Sequence, residues 1–223
     1  MLNSCLYSSL DKWKTYIELK QNDRAKKLLK SVIYRINKKI IKNKQIEETA
    51  RNNALHECII LRGIIDFTDI DSIMRSTSVI TDHDTLENLW ILLWDCRERI
   101  LVKNYIPESQ ILVNILKELD LIEAKFDENY GKGIYTSMVT KIKSEICSIC
   151  KENIKLCDHK AGSFYNGIRC IGIVEDFELI TSDIVENPED KRCRIWPWRV
   201  KEVDGKKIIE QVIIHRIFKV DDF

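Results

Sequence analysis

Proline and glycine are scarce, at three and seven in 223 residues. That excludes collagen-like and proline-rich classes. Charge of one sign is not in excess either. There are 36 lysines and arginines against 35 aspartates and glutamates, so net charge alone points to no polyanionic partner. No apolar run approaches the roughly 18 residues of a membrane-spanning helix, so no membrane partner is expected. The N-terminal stretch MLNSCLYSSLDKWK lacks a basic segment leading into an apolar one, so no secretory leader is expected, and a cytoplasmic location is the default. With 44% hydrophobic and 32% charged residues, the chain is expected to fold as one large domain or two small ones.

Cysteine is plentiful, with eight residues unevenly placed. Cys5, Cys58 and Cys96 are scattered through the first half and read as small buried hydrophobes. Cys147, Cys150, Cys157, Cys170 and Cys193 crowd the second half. In a reducing compartment these are not a disulfide framework.

The first part reads as helices. Leu6, Leu10, Trp13 and Ile17 are spaced four, three and four apart, one helical face over 4–20. Asn22 or Asp23 could cap a second helix reaching about Lys44, with Ala25, Leu29, Val32, Ile36 and Ile40 inward. Around its other side lie Arg24, Lys26, Lys27, Lys30, Arg35, Lys38, Lys39, Lys42 and Lys44, with no acidic residue between Asp23 and Glu47. A third helix is predicted over 47–65. Asp82 or Asp84 could cap a fourth, apolar nearly all round and therefore central. Pro107 suits the first turn of a fifth, carried inward by Ile111, Leu112, Ile115, Leu119 and Ile122.

The pattern changes after Phe126. DENYGKG (127–133) reads as a loop, and the segments beyond it are short and strand-like. Asp204-Gly205 is a hairpin turn signal. The fold expected is α+β: a helical bundle over 1–126, followed by a small zinc-stapled β-rich module over 127–223.

The cysteine-rich segment runs Cys147-x2-Cys150-x6-Cys157-x-His159. Such a Cys-x2-Cys turn can place two thiolates about 2.3 Å from one tetrahedral ion. Cys157 and His159 can supply the other corners, with Cys170 the alternative to His159. Thiolate and imidazole favour Zn²⁺ over Mg²⁺ or Ca²⁺, and four filled corners leave no open position, the structural type of site. Such a site contributes folding energy, ~10 kcal/mol of apparent binding at neutral pH.

The stretch CSICKENIKLCDHKAGSFYNGIRC (147–170) resembles a zinc motif of phage prohead-protease-like proteins and their prophage relatives. Cys147, Cys150, Cys157, His159, Gly162, Tyr165, Gly167 and Cys170 match it, and EDFELITSDIVENPEDKRCRI is similar to a strand that comes after it in that family. The resemblance covers residues 147–195. It implies zinc and a phage, prophage or anti-phage context. Protease activity is not implied, because the region where that family's catalytic β-core would lie reads here as helical.

Other chemistries are poorly matched. YGKGIYTSMV resembles a strand of poly(ADP-ribose) polymerases but lacks their upstream His-Gly pair. Asp158-His159 resembles part of an HNH nuclease without the second Cys-x2-Cys. Nucleophilic catalysis by a cysteine would need a histidine outside the zinc site, and nothing ties His56, His83 or His215 to a free thiol.

The leading expectation is a non-catalytic accessory or scaffold subunit working with other protein subunits in a complex. Trp196 and Trp198 are expected to face a partner, and no small-molecule substrate is evident. The alternatives are a zinc-dependent or HNH-like hydrolase, or a nucleic-acid-binding subunit. The last would use Arg24, Lys27, Lys30, Arg35, Lys38 and Lys42 on phosphates or on an acidic partner.

Overall fold

The structure, a computed structural model, describes residues 2–76, 82–102, 109–196, 198–203 and 206–211. The fold is α+β. Five helices come first: α1 (Leu2–Glu18), α2 (Asn22–Ile36), α3 (Glu48–Ser76), α4 (His83–Ile100) and α5 (Gln110–Tyr130). The strands come next: β1 (Ile134–Cys147), β2 (Phe164–Tyr165), β3 (Ile168–Arg169), β4 (Gly172–Val185), β5 (Arg194–Ile195), β6 (Trp198–Val203) and β7 (Lys206–Gln211). Among the described residues no helix is long and apolar enough to cross a membrane.

The helices pack on the periodicity the sequence carries. Ala25, Leu29, Val32 and Ile36 of α2 are buried, as are Leu86, Leu89, Trp90, Leu93, Cys96 and Ile100 of α4. Asp82 caps α4 by accepting from the Thr85 amide at 2.9 Å. α3 and α4 approach closely at Gly63, where a β-carbon would lie 3.0 Å from Ile100 and 3.1 Å from Arg99.

Several boundaries differ from the sequence-based expectation. α3 continues past the predicted end at 65 to Ser76, because Phe67, Thr68 and Ile70 are buried and the acidic residues among them are paired. Asp66 pairs with Arg99, Asp69 with Lys26 and Asp71 with Arg75. α2 ends at Ile36 and passes into a π-helical turn, Asn37–Ile41. The extra residue in that turn lets both Ile40 and Ile41 pack on the core while Lys38 and Lys39 stay outside. Gln21, not Asn22 or Asp23, occupies the N-cap of α2 and makes no side-chain cap bond. The expected loop at 127–133 is helical to Tyr130, since Phe126 and Tyr130 are needed in an aromatic cluster. Pro107, Asp204, Gly205 and His215 lie outside the described residues; β6 and β7 form the expected antiparallel pair.

β1 and β4 form one long antiparallel ribbon, from Tyr135↔Val185 at its base to Cys147↔Gly172 at its tip. The base is fixed to the bundle. β5 pairs with β1, and Trp196 just beyond it is buried against Trp90, Phe126 and Tyr130, with ring centroids 6.1, 6.1 and 6.3 Å away. Trp196 is therefore a core residue rather than a partner-facing one, because the middle of α4 and the C-terminal end of α5 present it with an aromatic socket. The Arg194 side chain, 1% exposed, lies over the Trp90 and Trp196 rings and pairs with Asp127 at 3.3 Å. Arg192 reaches Asp95 at 2.6 Å and Glu98 at 2.9 Å on α4.

Trp196→Ala is expected to cost about 3–5 kcal/mol, the range for truncating a buried aromatic. Chemical denaturation with the unfolding slope held constant measures it. A loss below about 1 kcal/mol would mean that the socket does not fix the ribbon.

Candidate metal centre

The tip of the ribbon is where the cysteines converge. β1 ends at Cys147, and the chain turns at once: the Lys151 amide donates to the Cys147 carbonyl at 2.9 Å, and Lys151 adopts a left-handed φ of 66°. Inside this turn the Ile149 amide points at Cys147 Sγ, 3.4 Å away. A second turn comes directly after, in which Asn153 Oδ1 accepts from the Lys155 amide and the Asn153 carbonyl from the Cys157 amide. It carries Cys157 and His159 back toward the first pair.

The result is one cluster. Ligand atoms of Cys147, Cys150, Cys157 and His159 all lie within 4.8 Å of one another. Two thiolates on a tetrahedral ion with 2.3 Å bonds sit about 3.8 Å apart, so the cluster is close to the right size for a metal. His159 Nδ1 is buried and has no hydrogen-bond partner among the described residues, as suits a nitrogen kept for a cation. Its ring is held edge-on by Tyr165 at 4.7 Å. Cys170 is buried, with its Sγ 3.7 Å from that of Cys147, so it adjoins the four on the Cys147 side. Cys193 falls on a short 3-10 turn and is exposed, because that turn positions Lys191 and Arg192 on α4.

Burial works against charge on these sulfurs. At Cys147 it is outweighed by the amides of Cys150 and Ile149 and by the neighbouring thiols, which bring the thiol down to about 6. At Cys157 burial wins, and with Cys150 and Cys147 adding to it the thiol rises to about 11. A divalent cation relieves this conflict by letting every sulfur ionise. With four side-chain donors converging, a tetrahedral ion here has no corner left for water. Burial pushes the Cys58 thiol up to about 11 and that of Cys96 higher still.

The loop after the cluster docks on the bundle. Asn166 and Gly167 both have positive φ, 52° and 76°, and connect β2 to β3 as a two-residue turn of the type that Asn-Gly favours. Its amides are claimed by the start of α3. The Asn166 amide donates to Glu48 Oε1 at 3.0 Å and the Gly167 amide to Asn52 Oδ1 at 2.7 Å, while Asn52 Nδ2 donates to the Phe164 carbonyl at 2.9 Å. The Phe164 ring packs edgewise on His56 at 4.0 Å. A β-carbon on Gly167 would lie 2.9 Å from Ile41, so the π-helical turn and the knuckle also touch. Sequence reasoning missed this anchor, although the Asn-Gly pair carries its signal. The basic residues Arg24, Lys27, Lys30, Arg35, Lys38 and Lys42 all lie on α2 and the turn after it, well outside the cluster.

Cys150→Ser and His159→Ala are expected to weaken metal affinity by more than the about 10–100-fold typical of removing a neighbour of a ligand, whereas Cys170→Ser should stay within that range. Competition with a chromophoric chelator measures all three. Loss of metal with Cys170→Ser but not with His159→Ala would exchange their roles. Comparison of the chain with protein-family models, with curated proteins and with solved structures returns no match.

Proposed function

We propose that the chain is a non-catalytic accessory or scaffold subunit of a multi-protein complex, shaped by one structural zinc ion. Three thiolates and an imidazole are a standard donor set for structural zinc. Reduced thiols of this kind fit a cytoplasmic setting. The resemblance of residues 147–170 to a phage and prophage zinc motif supports a role in phage biology or anti-phage defence.

The observation that carries the reading is the exposed ribbon. Every residue of β4 from Ile173 to Ile184 is exposed, so no second layer of described residues covers either face there. Paired residues share a face and alternate along each strand. The pairs Met138↔Ser182, Thr140↔Leu179, Ile142↔Phe177 and Thr136↔Ile184 therefore line one side, opposite Tyr135. Met138, Ile142, Phe177, Leu179 and Ile184 make that side apolar, with Phe177 59% exposed. A two-stranded ribbon alone is marginal in water, and a contiguous apolar stripe marks an interaction surface.

The occupant is an extended segment of a partner protein, added to the free edge of β4. β4 carries Glu175, Asp176, Glu178 and Asp183, with no lysine, arginine or proline to protect its edge. A second copy of β4 would set carboxylates against carboxylates. A strand alternating lysine or arginine with apolar side chains fits both the charge and the stripe.

Co-expression with the products of neighbouring genes tests this. The expected result is co-purification at fixed stoichiometry, with about one zinc per chain, and loss of the partner but not of zinc in Phe177→Lys/Leu179→Lys. Retention of the partner by that variant would overturn the ribbon as docking surface. A turnover abolished by His159→Ala with zinc content and fold intact would instead establish a hydrolase.

A further inference from the structure

The solvent face of α2 is a second surface that the bundle leaves uncovered. Helical spacing puts Lys27, Lys30, Tyr34 and Lys38 on one side, directly opposite buried Ala25, Leu29, Val32 and Ile36. Tyr34 is 65% exposed. Lys30 and Lys38 stand one turn before it and one turn after. The π-helical turn shifts the helical phase of the residues beyond it, so Lys42 comes to the same place. Lys30, Ile33, Tyr34, Asn37, Lys38 and Lys42 line a shallow groove of about 520 Å³.

Several of the acidic residues near these lysines are engaged elsewhere. Asp66 is held by Arg99, Asp71 by Arg75, and Glu48 by the Asn166 amide. Asp23 and Asp69 do reach α2, and both pair with Lys26, at 3.5 and 2.9 Å. Among the described residues Lys27, Lys30, Lys38 and Lys42 form no ion pair. The near-zero net charge of the chain thus hides a local positive field.

We propose that this face is a binding site for single-stranded nucleic acid, in which Tyr34 stacks on a base and Lys27, Lys30, Lys38 and Lys42 contact phosphates. The aromatic ring decides between partners. An acidic protein surface needs only the lysines. A single strand presents both phosphates and an unstacked base, and an exposed ring between cations matches the two together. A duplex keeps its bases stacked inside and leaves the ring unused. The site is separate from the β4 edge, so its failure says nothing about the ribbon, and the reverse.

The test is fluorescence anisotropy on the full zinc-loaded chain with labelled oligo-dT and oligo-rU of about 12 nucleotides. The same titration uses a duplex of equal length and a poly-glutamate peptide. Binding to the single strands is expected, with a log–log salt slope of about −3, corresponding to four phosphates. Tyr34→Ala should weaken it about five- to hundred-fold, Tyr34→Phe should restore it, and Lys30→Glu/Lys38→Glu should abolish it. A preference between dT and rU assigns the strand as DNA or RNA, and either supports the site. No binding at about 50 mM salt, equal affinity for poly-glutamate, or parental affinity in Tyr34→Ala would overturn it. Exposure of Tyr34 makes misfolding an unsuitable explanation, and circular dichroism of each variant checks that directly.

Discussion

Convergence of Cys147, Cys150, Cys157 and His159 on one point is the constraint around which the second half of the chain is arranged. β1 and β4 are the two legs of an excursion that begins at Cys147 and returns at Gly172. Closing that excursion sets the ribbon register at its tip. It also presents the Asn166-Gly167 turn, whose amides meet Glu48 and Asn52. Without a cation, the Cys147 thiol is lowered by the amides that point at it while burial raises that of Cys157. With a cation, the same geometry becomes cohesive. Loop-closure entropy grows slowly with length, and a cation held by these four side chains would close the 13 residues 147–159.

The ribbon is thereby held at two ends and left open between them. Its base is gripped by an aromatic socket and by the Arg192 and Arg194 pairs, and its tip rests on α3 and the π-helical turn. The helices and the β region share their anchors: Trp90 packs on Trp196 and donates to the Lys191 carbonyl at 2.6 Å, and Ile41 meets Gly167. A rigid frame under an exposed apolar stripe keeps the stripe extended. Ordering cost is then met in the free protein rather than on association.

The helical half was legible because its apolar positions recur every three or four residues, and the fold class came from that and the short segments after it. The metal cluster was legible from spacing alone, since Cys-x2-Cys and Cys-x-His each place two donors through a single local turn. What escaped depends on contacts between distant segments. Nothing local to DFTDIDS says that Arg99 and Lys26 will neutralise it and let α3 continue. Trp196 looks like an interface residue until Trp90 in the middle of α4 and Phe126 and Tyr130 at the end of α5 supply a socket. The ribbon's length was hidden because bulges at Val139/Thr140, Ile142/Ser144 and Ser144/Glu145 break strict alternation. The exposure of the α2 lysines shows only when Asp66, Asp69 and Asp71 are seen to be paired with Arg99, Lys26 and Arg75.

X-ray absorption at the zinc edge of the purified, folded chain, with metal content measured on the same sample, addresses the central claim most directly. The account predicts one zinc per chain with three sulfurs at about 2.3 Å and one nitrogen at about 2.0 Å. A folded chain without zinc, or a first shell containing a water oxygen, would contradict it.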